Sequence, residues 1–236
     1  MTPAEHGTDL RPAAGPRRRG SYENGRRRRA QIIAHATEVF ATRGLAGGSL
    51  REIADRVEVT PASLLRHFAG KEELLVEVLR HWDEHQVLNE QRTHGVEFFE
   101  SLREVTRLNM EQAGLLQLYI VLGMDAVDPR HPANPFIVAR QARTLESFRR
   151  NLRLGVDRGE LAPIDLAAVD VESRLLLALL DGLALQWLLS TDMDLAEAVG
   201  AALDDVLLRW RTGGSGAVDA GADHARLQEG RRCERS

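Results

Sequence analysis

A chain of 236 residues with 43% apolar content is long enough to bury one large or two smaller cores, which excludes disorder throughout. Its net charge of −4 is unevenly placed: Arg17 to Lys71 holds 12 basic and 5 acidic residues, a balance of +7, and leaves −11 to the remainder. A basic end on an acidic body suits a protein that presents one end to phosphate and keeps the other off it.

In chain order, residues 1–25 are rich in Pro, Gly and Arg with almost no apolar pattern and are expected as a disordered basic arm. They lack the apolar stretch of a signal peptide, and the single cysteine, Cys233, leaves no intramolecular disulfide to form, so a cytoplasmic protein is expected. A first helix is predicted from Arg26 to Arg43, with Ile32, Ile33, Ala36, Val39 and Phe40 on one face and Gly44 stopping it. A short second helix opens at Ser49, whose hydroxyl and Glu52 form a capping box, and turns Leu50, Ile53, Ala54 and Val57 inward. Thr60 is a good N-cap for a third, with Pro61 at the first helical position, where its missing N–H costs nothing. That helix carries Leu64 and Leu65 and ends near Phe68. Lys71-Glu72-Glu73 then opens a longer helix to about Gln91, its acids placed where the helix dipole favours them.

Further helices are predicted at about 96–112, 115–127, 133–158, 166–190 and 194–211, separated by Gly114, by Asp128-Pro129 and Pro132, by Gly159 to Pro163, and by Ser190 to Asp192. Nothing sustains strand alternation, so the fold class is all-α. The last helix keeps one apolar stripe, and its predecessor, Leu175 to Leu189, is apolar nearly all round except for Asp181, Gly182 and Gln186. That run is shorter than the roughly 18–20 residues of a membrane span, so no membrane partner is expected. Residues 213–236, opening Gly213-Gly214-Ser215-Gly216, are expected as a disordered tail.

Two short capped helices joined by a tight turn and tied down by a preceding helix describe a helix-turn-helix, whose second helix can enter a major groove. At Gly44, Ser49-Leu50-Arg51-Glu52-Ile53-Ala54, Val59-Thr60, Ser63-Leu64, His67-Phe68 and Lys71-Glu72-Glu73-Leu74-Leu75 the sequence resembles the TetR (tetracycline-repressor) family. The resemblance is specific over roughly residues 26–80 and architectural beyond. It implies a helix-turn-helix DNA-binding domain at 26–72, followed by a helical-bundle domain at 73–212 that binds an effector and dimerises. The implied protein is a transcriptional regulator, a repressor released from a pseudo-palindromic operator by a small molecule. An activator or ligand-independent regulator of the same fold is the alternative. The implied partners are a double-stranded DNA operator, a second copy of the chain and an unknown small-molecule effector.

Arg66 can donate two hydrogen bonds to guanine or one to phosphate, Ser63 can bond either, and Ala62 can touch a thymine methyl. The resemblance adds Thr60, Ser63, His67 and Lys71 as positions that approach DNA, and Lys71 with the start of its helix can take a phosphate. Leu65 departs from the family's tyrosine there and either touches a thymine methyl or packs. Pro61 and Ser49 complete the DNA-facing set, and Arg26, Arg27, Arg28 and Arg29 are candidates for phosphate or minor-groove contact. For an effector pocket the candidates are Trp82, His85, Phe99, Leu102, Asn109, Tyr119, Met124, Phe148, Gln186 and Trp187. For the dimer interface they are Leu176, Leu180, Leu183, Trp187, Leu195, Val199, Leu203, Val206 and Trp210. His81-Trp82-Asp83-Glu84-His85 fits the H-x-x-E-H spacing of one class of zinc peptidases, so a metal-dependent enzyme using His81 and His85 is a third reading. Helical histidines beside a core tryptophan are the favoured one. No phosphate loop, nucleophile elbow or cysteine cluster is present, and no enzyme activity, cofactor or metal is expected.

Overall fold

A computed structural model of the chain describes residues 17–47, 50–90, 92–190 and 192–213. They form nine helices with no strand among the described residues: α1 (Arg17–Gly47), α2 (Leu50–Arg56), α3 (Pro61–Leu64), α4 (Lys71–Glu90), α5 (Val96–Glu111), α6 (Ala113–Asp125), α7 (Asn134–Asp157), α8 (Leu166–Leu189) and α9 (Leu195–Thr212). No helix among them is long and apolar enough to cross a membrane.

The first helix starts at Arg17, not at Arg26 as its apolar pattern suggested. Missing periodicity reports the lack of a surface to pack against, whereas arginine itself is a good helix former. Residues 1–16 and 214–236 lie outside the described residues, as does Ser49 with its expected capping box. Ile32, Ala36, Val39 and Phe40 of α1 are sealed against Ile53 and Ala54 of α2, Leu64 of α3 and Phe68 beyond it. Thr60 caps α3 as its sequence requires, its Oγ1 accepting the Ser63 N–H at 3.1 Å, with Pro61 at the start.

Gly44 breaks the helical path of α1 with φ 59° and ψ −166°, a left-handed conformation open mainly to glycine. Gly114 does not separate helices as expected. It sits inside the first turn of α6, and the chain turns at Gln112 instead (φ −117°, ψ 41°). A Cβ on Gly114 would fall 1.9 Å from the Phe40 carbonyl oxygen and 2.9 Å from the Gly44 nitrogen. The missing side chain therefore lets α6 lie directly on the end of α1, where head and body meet.

In the body, Phe98 and Phe99 of α5, Phe148 of α7 and Trp210 of α9 stack edge to face at centroid distances of 5.0–6.0 Å. Such pairs add to plain area burial. The Trp210 indole donates to the buried Glu172 carboxylate at 2.9 Å. Asp165 and Asp194 cap α8 and α9, accepting from Ala168 and Glu197 N–H groups at 2.7 and 3.0 Å. This packing takes six of the nine residues expected at a dimer surface into the chain's own core. Leu176, Leu195, Val199, Leu203, Val206 and Trp210 are buried within the chain's own core, and Leu180, Leu183 and Trp187 are half-buried against it. The stripes of α8 and α9 pack on each other and on α5 and α7.

Candidate functional site

Leu64 and Phe68 anchor the α3 segment from beneath, leaving Thr60, Pro61, Ala62, Leu65 and Arg66 exposed and Ser63 and His67 half-buried on the outer side. Arg66 donates to the Ser63 hydroxyl at 3.1 Å, which lays its guanidinium along the same face. Leu65 is 45% exposed, so it does not pack inward. Lys71 is exposed at the start of α4. The Glu73 carboxylate folds back to accept the Ala69 N–H, and that bond together with Arg29 holds its pKa below the ordinary carboxylate range. The α4 N-terminus thus already carries one acceptor of its own.

The four arginines of α1 divide. Arg26 and Arg27 are exposed, while Arg28 and Arg29 are half-buried and turned inward. Arg28 donates to the Val57 carbonyl at 2.6 Å, closing the end of α2. Arg29 lies over the Phe68 ring at 4.3 Å, donates to the His67 carbonyl, and pairs with Glu73 at 3.0 Å and Glu77 at 3.5 Å. These two bind the helix-turn-helix to α1 and α4. Side chains that hold a reading helix in place commonly come from such neighbours, and a basic run does not reveal which of its members do so.

A cavity of about 140 Å³ lies inside the body, bounded by α4 through α9. Of the residues expected to line it, Trp82, Leu102, Asn109, Tyr119 and Phe148 do so. Phe99 belongs instead to the aromatic core, Met124 is 70% exposed, Gln186 is exposed on the outer side of α8, and Trp187 packs on the core. A helical period shows that a residue has an inner side and not which interior space it faces. The side chain of His85 lies outside the described residues; His81 is half-buried on α4. No three His, Cys, Asp or Glu side chains converge among the described residues. Leu180, Leu195 and Val199, assigned to the dimer, line the cavity as well.

Sequence reasoning missed the charged wall. Asp83 of α4 takes Arg140 of α7 at 2.9 Å and is also bound by Arg143. Arg140 in turn lies 4.1 Å over the Tyr119 ring. Burial pushes the Tyr119 hydroxyl above its ordinary pKa. Asp181 of α8 faces the same space, and burial raises its pKa, with Arg140 opposing the rise. The only advance signals were the i,i+3 spacing of Arg140 and Arg143 and the placing of Asp181 inside an apolar run.

Residues 32–78 match the family described as bacterial regulatory proteins, tetR family. The chain is 43% identical over 81 residues to the transcriptional activator FasR of Mycolicibacterium smegmatis, covering 34% of this chain and 36% of that relative's length. It is 31% identical over 189 residues to the transcriptional regulator TtgR of Pseudomonas putida, covering 74% of this chain and 86% of the relative. Among solved structures, a TetR-family transcriptional regulator from Cytophaga hutchinsonii superposes with a TM-score of 0.66 at 17% identity, covering 80% of this chain and 96% of that one.

Proposed function

The chain belongs to the TetR family of bacterial regulatory proteins, and from this we propose that it is a sequence-specific DNA-binding transcriptional regulator, not an enzyme, acting in the cytoplasm as a homodimer. The observation that carries the reading is the α3 segment: Thr60, Pro61, Ala62, Ser63, Arg66 and His67 on one outward face, fixed from below by Leu64, Phe68 and the Arg29 clamp. Residues 26–72 are the DNA-binding domain and 73–212 the effector-binding and dimerisation domain. Arg66 and Ser63 contact base edges, and Thr60, His67, Lys71, Arg26 and Arg27 contact backbone.

The body's cavity is the effector site. Trp82 and Asp83 line it from α4, the helix that begins three residues after Phe68, so a ligand pressing on them acts on the reading head. The effector must bind the DNA-competent and released states unequally, by roughly 1–3 kcal/mol in typical cases. Repression follows if the occupied operator overlaps the promoter. FasR is named an activator, which favours activation as the second reading, and promoter geometry separates the two.

The test is binding of the purified protein to DNA flanking its own gene, wild type against Arg66→Ala, at several salt concentrations. A symmetric footprint with steep salt dependence, weakened about tenfold or more by the substitution, is the expected result. Sequence-indifferent binding that Arg66→Ala leaves unchanged overturns it.

A further inference from the structure

Resting on the reading of the body's cavity as an effector site, we propose that its ligand is an apolar molecule bearing a cationic amine, with Asp181 as the counter-ion. The walls are mostly hydrocarbon: Leu102, Leu116, Phe148, Leu177 and Leu180 surround the space, so the ligand's body is apolar.

Its head group is decided by which charged wall group lacks a paired counter-charge. Both cationic groups already share one counter-charge. Arg140 is held by Asp83 at 2.9 Å and stacked on Tyr119, and Arg143 is bound to the same Asp83 carboxylate. An anionic ligand would meet the Asp83 carboxylate between the two arginines, and would approach Asp181 besides. Asp181 differs: among the described residues it makes no hydrogen bond or ion pair. The groups facing it are Arg140 from α7, Tyr119 from α6 and, beyond them, Asp83 from α4. A half-buried carboxylate with no donor from the protein is open to one from a ligand. A ligand ammonium supplies the missing donor and charge without breaking an existing contact, and Leu177, Leu180 and Ala184 beside Asp181 on α8 guide its apolar chain.

Three probes with one hydrocarbon chain and different heads, n-octylamine, octan-1-ol and octanoate, are titrated into the full-length protein and its Asp181→Asn variant by calorimetry. Octylamine is expected to bind the wild type at least about tenfold more tightly than octanol, about 1.4 kcal/mol, with octanoate weakest. Asp181→Asn is expected to remove the amine's advantage while leaving octanol unchanged. Octanoate binding tightest, or an amine preference that survives Asp181→Asn, overturns the proposal and leaves the cavity as an effector site. Binding by none of the three overturns both, and the operator assay above then shows whether the DNA-binding reading stands without it.

Discussion

Glu58, in the turn between α2 and α3, has φ 54°, a left-handed conformation that costs a residue with a Cβ roughly 1–2 kcal/mol. Glycine adopts it freely but loses more entropy on folding. Glu58→Gly should therefore raise stability by up to about 1 kcal/mol, read as a higher urea midpoint. A midpoint lowered by the substitution would show that the turn is not strained there. Asp181 supplies a pH-dependent term with the opposite sign to an ordinary surface carboxylate. Burial raises its folded-state pKa, so the fold prefers it neutral. That contribution is full below the unfolded pKa and is lost as pH rises through the raised value. Asp181→Asn stays neutral throughout, so the variant's advantage in melting temperature should grow from acid to neutral pH. A gap that stays constant with pH would contradict this account.

At the scale of the element, glycine shows how far local rules reach. Read from sequence, Gly44 and Gly114 are both helix stops. Gly44 does break α1, but Gly114 exists to let α6 touch it, and its would-be neighbours are backbone atoms that cannot move aside. Gly114→Ala is expected to destabilise the protein by about 1–3 kcal/mol or more, and an unchanged unfolding curve would rule out the close approach. The same distinction runs through the arginines of α1: Arg26 and Arg27 stay free for solvent, whereas Arg28 and Arg29 serve the fold. A charge run shows how many cations there are, and only the surface against which each lies shows their uses. The boundaries of α5, α7, α8 and α9 lie close to those expected, because caps and apolar period are written within each segment.

For the whole molecule, α8 carries two apolar faces. Leu177, Leu180, Asp181 and Ala184 look into the cavity, while Val171, Leu175, Leu179, Leu185 and Leu189 are exposed on the other side, with Leu208 of α9 also exposed. A Cβ at Gly182, between the outer residues, would meet nothing within 4 Å, so a second helix can approach closely there. We propose this face of α8 for the homodimer. Leu175→Asp combined with Leu185→Asp should convert the protein to a monomer in sedimentation experiments and lower operator affinity with it. A dimer that persists would locate the interface elsewhere. On that proposal one helix borders both the cavity and the partner chain, a second path from the cavity to the spacing of the two heads, about 34–36 Å in a dimer reading successive turns of DNA.

By itself the sequence determined the helices, the helix-turn-helix, the basic end and the outward face of α3, since period, capping and charge are properties of neighbouring residues. Only the tertiary structure decided the cavity wall and the free face of α8. Asp83 meets Arg140 and Arg143 across 57 and 60 residues of chain, and an all-apolar helix has no local signal to say which side its own body will cover. Those contacts arise when α4, α7 and α8 pack, and packing is where burial, and with it the chemistry of Asp181, is set.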